Sequence, residues 1–175
     1  MRACGGLADP WPGYFGAMRS VLLGLVLCAL NAAAQPGPYW AHGYGGAGDD
    51  RITAIAQGPG TAQFVCGTFS GTMFYPGGSV AAEGITDVFV ACVDTGGVIQ
   101  WMRTGGGPGP DRATDITVDA QGRVSVTGQY SGTMQIAGSS LSSNGPSQDL
   151  FVARFAADGT GLWARSAGSP QNADI

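Results

Sequence analysis

Gly67-Thr-Phe-Ser-Gly-Thr-Met73 returns 61 positions later as Gly128-Gln-Tyr-Ser-Gly-Thr-Met134. An echo that keeps its glycines, aromatic, Ser-Gly and Thr-Met in place marks a tandem repeat, and a fixed period of this size is the signature of a repeat architecture. The landmarks extend outward on both sides. Trp40, Trp101 and Trp163 are spaced by 61 and 62 residues, Asp50-Arg51 recurs as Asp111-Arg112, and Ile55 as Ile116. After a one-residue insertion near Gln148, Asp87-Val-Phe-Val-Ala91 recurs as Asp149-Leu-Phe-Val-Ala153. The recurring positions include Gly67/Gly128, Phe69/Tyr130, Gly71/Gly132, Asp87/Asp149 and Phe89/Phe151. The units run over about 40–100 and 101–162, with a partial third over 163–175.

Each unit reads as four short strands. In the second these are Asp115–Asp119, Arg123–Gly128, Met134–Ala137 and Leu150–Phe155. A polar loop, Gly138–Gln148, precedes the last of them, and Leu162–Ser166 begins the link to the next unit. Gln121-Gly122 and Asp158-Gly159 fall between β-branched runs, where glycine supplies the positive φ of a hairpin turn. Val88–Val93 and Leu150–Phe155 are almost continuously apolar, the pattern of a strand buried on both faces. Four-stranded antiparallel sheets stacked face to face are propeller blades. The expected fold class is therefore all-β, with about two complete blades and a stub, an incomplete propeller.

Composition agrees and removes several chemistries. With 31 glycines and 10 prolines in 175 residues, yet 44% hydrophobic content, the chain is turn-rich but able to bury a core. All eight basic residues are arginine, so no lysine serves a P-loop or a Schiff base. A net charge of -4 argues against nucleic acid, which needs a basic stripe. A single histidine makes a zinc site unpromising.

Met18-Arg19-Ser20, the apolar run Val21–Leu30 and Asn-Ala-Ala-Ala-Gln at 31–35 have the layout of a secretory signal peptide, with Met18 the natural start and cleavage after Ala34. The apolar run is too short for a stable membrane span. The expected domains are thus an upstream segment and signal peptide over 1–34 and a repeat region over 35–175, secreted or at the cell surface. Export leaves Cys66 and Cys92 in an oxidising compartment, where a disulfide and two free buried thiols both stand open.

The pattern D-x-x-x-x-I, V-x-G-x-[FY]-S-G-T-M, D-x-F-V-A and a closing Trp resembles the SBBP repeats of exported bacterial proteins. That resemblance covers about 40–175 and implies a seven-bladed β-propeller scaffold without implying a catalytic residue. Two turns depart from it: Gly58-Pro-Gly-Thr61 stands where the second unit has Asp119-Ala-Gln-Gly122, and Phe155-Ala156 replaces the usual aspartate-bearing ending. A propeller needs at least about four blades, so further blades are expected from a longer chain or from self-assembly.

The chemical candidates are weak. Gly43-Tyr-Gly45-Gly-Ala-Gly48 matches a dinucleotide fingerprint by letter, but Asp49-Asp50 follows it and no βαβ unit surrounds it. Asp111, Asp115 and Asp119 would lie about 13 Å apart along a strand, too far to share a cation. For Asp49, Asp50 or Asp111 a calcium loop competes with a turn or strand-end cap. Asp87 and Asp149 read as acceptors of backbone hydrogen bonds at loop ends. His42 lacks a nucleophile motif, and its counterpart is Arg103. The expected catalytic, cofactor and metal sites are none. The expected function is a non-enzymatic scaffold binding protein or glycan, with an extracellular propeller hydrolase or lyase acting on carbohydrate as the rival and a nonfunctional remnant as a third reading.

Overall fold

The computed structural model describes residues 40–145 and 147–169; the leader read over 1–34 lies outside them. Twelve strands are present and no helix occurs among the described residues. The first blade is β1 (Asp50–Gln57), β2 (Gln63–Phe69), β5 (Asp87–Val93) and β6 (Ile99–Gly105), paired antiparallel in the order β1-β2-β5-β6. The second is β7 (Arg112–Val118), β8 (Val124–Tyr130), β11 (Asp149–Phe155) and β12 (Gly161–Ala167), in the matching order β7-β8-β11-β12. Two separate hairpins complete the units: β3 (Thr72–Tyr75) with β4 (Gly78–Ala81), and β9 (Thr133–Ile136) with β10 (Ser139–Ser142).

The all-β, blade-like fold is as expected, but three local readings change. The third strand of each unit does not join the four-stranded sheet. It folds back on β4 or β10, and β10 lies inside the stretch read as a polar loop. Leu141 of β10 is buried under the blade and supplies the apolar anchor. The fourth strand is instead the tryptophan-bearing one, so Leu162–Ser166 closes its own blade. Finally, β7 starts at Arg112 and carries a register shift between Ala113 and Asp115, which breaks the even spacing of Asp111, Asp115 and Asp119.

Alternation along each strand gives a blade two faces. The front face carries Val65, Phe69, Phe89 and Ala91 in the first blade and Val126, Tyr130, Phe151 and Ala153 in the second. The back of the first blade, Phe64, Cys66, Val88, Val90 and Cys92, packs onto the front of the second in one continuous core. Every residue of β5 is buried, as a doubly covered strand should be, whereas β11 alternates, with Leu150 and Val152 exposed.

Glycine is demanded where aromatics cross. A Cβ on Gly67 would lie 2.5 Å from the Phe89 ring and 1.9 Å from the Arg51 carbonyl; on Gly128 it would lie 2.5 Å from Phe151 and 2.0 Å from the Arg112 carbonyl. The rings cover the glycines and meet Phe69 and Tyr130 at 6.5 Å between centroids in both blades. These recurring aromatics are core residues.

Candidate functional site: blade joints and the open apolar face

The joint between blades is a latch. Trp101, on β6, reaches the β11–β12 turn and donates from Nε1 to the Ala157 carbonyl at 3.0 Å. Arg103 lies with its guanidinium 5.8 Å from the Trp101 ring centre and donates from Nε to the Gly159 carbonyl at 3.0 Å. Gly159 has φ of 81°, and a Cβ there would meet the indole at 2.7 Å. The joint is completed by the bridge Gly106↔Gln135, which ties the end of β6 to the second blade's hairpin.

The same latch is repeated ahead of the first blade by Trp40–Gly45. Trp40 Nε1 donates to the Thr95 carbonyl at 2.5 Å, and His42 Nε2 contacts the Gly96 carbonyl at 3.1 Å. Tyr44 donates its hydroxyl to the Gly97 carbonyl at 2.8 Å, and Gly45 bridges Phe74. Gly97 has φ of 79° and would strike Trp40 at 2.5 Å with a Cβ. His42 stacks on both neighbours, with centroids 5.6 Å from Trp40 and 6.1 Å from Tyr44. It therefore occupies the place of Arg103 as a joint residue. The signal was in the repeat alignment, since both residues sit two after the tryptophan and both carry a ring or guanidine nitrogen.

Behind this arm lies a groove of about 410 Å³ on the front of the first blade, lined by Ile52, Ile55, Val65, Phe89, Val93 and Ile99 among others. Ile55 is 63% exposed, while its repeat equivalent Ile116 is 6% exposed. Ile52 is 65% exposed, and its equivalent Ala113 is 2%. The difference is the first blade itself, which covers the second blade's front.

Acidic side chains pin the loops at the joints. Asp111 is fully buried and accepts from Gly107 N at 2.8 Å and Ser131 N at 3.3 Å. Burial, with the nearby Asp87 charge adding to it, pushes the Asp111 carboxyl up to about 7 against the pull of those two N–H groups. Asp87 accepts from Glu83 N at 3.0 Å and Asp149 from Asn144 N at 2.9 Å, the loop-end role read for both. Burial raises the Asp87 carboxyl as well, and its Oδ1 is buried without a hydrogen-bond partner. Asp50 caps Gly46 N, and Gly46 and Gly48 pack against the backbone of Thr72 and Ser70, so the Gly46–Gly48 end of this motif is a loop held against the turn into the first hairpin. Gly71 and Gly132 take φ of 62° and 74° at the turns into the hairpins.

The disulfide left open above is not formed: Cys66 and Cys92 are free buried thiols. Cys66 lies opposite Val90 and Cys92 opposite Phe64, so the two are diagonal neighbours. Diagonal pairs are about 7–8 Å apart, beyond ordinary disulfide reach. Burial pushes both thiols upward, helped by the Asp94 charge at Cys92 and opposed at Cys66 by its contact with Thr53 Oγ1 at 3.6 Å. Among the described residues no three of His, Cys, Asp and Glu are gathered to hold a metal, and no helix is long and apolar enough to cross a membrane. A scan against protein-family models finds no match to the chain, and a search of curated proteins finds none.

Proposed function

We propose that the chain is an exported, non-enzymatic repeat scaffold of the SBBP type, whose blades stack into a platform for protein or glycan contacts at the cell surface. The observation that supports this reading is the pairing of an exposed Ile52/Ile55 face with its buried equivalent, Ala113/Ile116. An apolar face that the same molecule covers with a blade in one repeat and leaves open in the other is a seat for another blade. The arm Trp40–Gly45 already occupies the position that β6 holds toward the second blade, so the seat has one edge in place. The groove carries few polar groups, and His42 is engaged in ring stacking and a carbonyl contact, an arrangement for adhesion more than for proton transfer.

The test is self-association of residues 35–175 together with binding of a dye that lights up on apolar surface. The native chain is expected to bind dye and associate with rising concentration. Ile52→Asn/Ile55→Asn should abolish both without lowering the melting temperature. A dye-silent, monodisperse native chain would remove the stacking reading. Export is tested separately by fusing residues 1–39 to a reporter active only outside the cytoplasm and mapping cleavage after Ala34.

A further inference from the structure

The backs of the two blades differ in chemistry, the first being covered by the second blade and the second lying open. On the back of the first blade stand Ala54, Ala56, Phe64, Cys66 and Cys92. The equivalent positions on the second blade, by register, are Asp115, Thr117, Ser125, Thr127 and Arg154. Only the two central positions remain apolar, Val88 and Val90 becoming Leu150 and Val152. Arg154 pairs with Asp119 and donates to Ser125 Oγ at 2.6 Å, so this polar set is organised. Burying it against an apolar front face such as the one that receives the first blade would strand several hydrogen-bonding groups.

The tryptophan and arginine of the latch are nevertheless both present on this polar back. Trp163 faces the same side as Arg154 by register, as Trp101 does with Cys92. Arg165 holds its guanidinium by donating from Nη1 to the Ala164 carbonyl at 2.9 Å, as Arg103 does toward Met102 at 2.8 Å. In Arg103 that posture aims Nε at a turn carbonyl. Trp163 is 37% exposed, and among the described residues neither its indole nor Arg165 Nε has an acceptor.

We propose that Trp163 and Arg165 form a preset receptor for a hairpin turn carrying a glycine at positive φ, presented by a further repeat unit whose facing side is polar. The occupant is fixed by the two filled latches, which both seat such a turn, at Gly97 and at Gly159. A second folded copy of this chain does not supply the equivalent turn, because its β5–β6 and β11–β12 turns are already taken by Trp40 and Trp101. The surrounding Asp115, Thr127 and Arg154 call for hydrogen-bonding partners, so the joint beyond the second blade is a polar one held by its latch, unlike the apolar joint before it. This inference rests on the reading of the chain as stacking repeat units.

The probe is a disulfide-closed hairpin peptide spanning Ala153–Leu162, added at millimolar concentration to the full chain labelled with 5-fluorotryptophan. The fluorine signal assigned by Trp163→Phe is expected to shift saturably while those of Trp40 and Trp101 stay in place. A Gly159→Val peptide should not shift it, and Arg165→Gln in the chain should weaken the peptide roughly tenfold, the loss of one charge-assisted hydrogen bond. No shift, or an equal shift with the Gly159→Val peptide, would overturn the proposal. Either result leaves the apolar groove of the first blade to be judged by its own Ile52→Asn/Ile55→Asn experiment, so the two failures are distinguishable.

Discussion

At the scale of single residues, the glycines separate into two kinds that a substitution can tell apart. Gly128 sits where a methyl would enter the Arg112 carbonyl and the Phe151 ring, whereas Gly132 has open space around its Cβ position and a φ of 74°. Gly132→Ala should therefore cost the left-handed penalty of about 1–2 kcal/mol. Gly128→Ala should cost more, about 3 kcal/mol, since overpacking against backbone leaves little room to relax. Denaturant titration of both variants checks the order, and equal losses would contradict the ring-over-glycine account.

Asp111 makes a second prediction at this scale. Its folded carboxyl lies near 7 against an ordinary value of 3.8, so between those values the folded state holds a proton that the unfolded state releases. Stability should then fall as pH climbs from about 4 through about 7 and level off above. Asp87, raised in the same direction by burial, reinforces the trend. Melting curves across this range are expected to decline for the native chain and to flatten in Asp111→Asn, which keeps the shape without the charge.

The blades form separate sheets, so they are joined by their shared apolar core and the tryptophan latch and not by a common strand ladder. Gly159→Ala would drive a methyl into Trp101 and strain a φ of 81°. Hydrogen exchange should then accelerate at the β11–β12 turn and at the Gly106↔Gln135 bridge, while protection within β1–β2 is kept. Uniform acceleration through both blades would mean that the latch is not a local device. Hairpin β9–β10 makes a similar point about elements: it owes its position to Met134, Ile136 and Leu141 packed under the second blade. Its sequence, Ser139-Ser-Leu-Ser142, looks like a loop because only one of its four residues is apolar.

For the whole molecule, the decisive contrast is between repeat equivalents. Ile116→Asn places an amide in the joint between the blades and should cost about 3 kcal/mol or more, whereas Ile55→Asn on the open face should stay within about 0.5 kcal/mol. The side chains are identical and occupy the same strand position, so only the neighbouring blade distinguishes them. Comparable losses in denaturant titration would mean that the front of the first blade is already covered. The same logic explains why β5 is buried on both sides while β11, with nearly the same letters, is buried on one.

The sequence by itself determined the all-β class, the period of the repeat and the glycine and aromatic landmarks, because strand alternation and positive-φ turns are local properties of a few adjacent residues. It also carried the loop-end role of Asp87 and Asp149, an acidic side chain beside the backbone it caps. Only the tertiary structure decided which strands share a sheet, that β10 exists, and that Cys66 and Cys92 stand diagonally as free thiols. Only it raised Asp111 to about 7 and joined His42 to the turn at Gly97. Each of these depends on what lies across a gap between segments tens of residues apart, and burial, register and desolvation are set by that opposite surface, not by the letters along the chain.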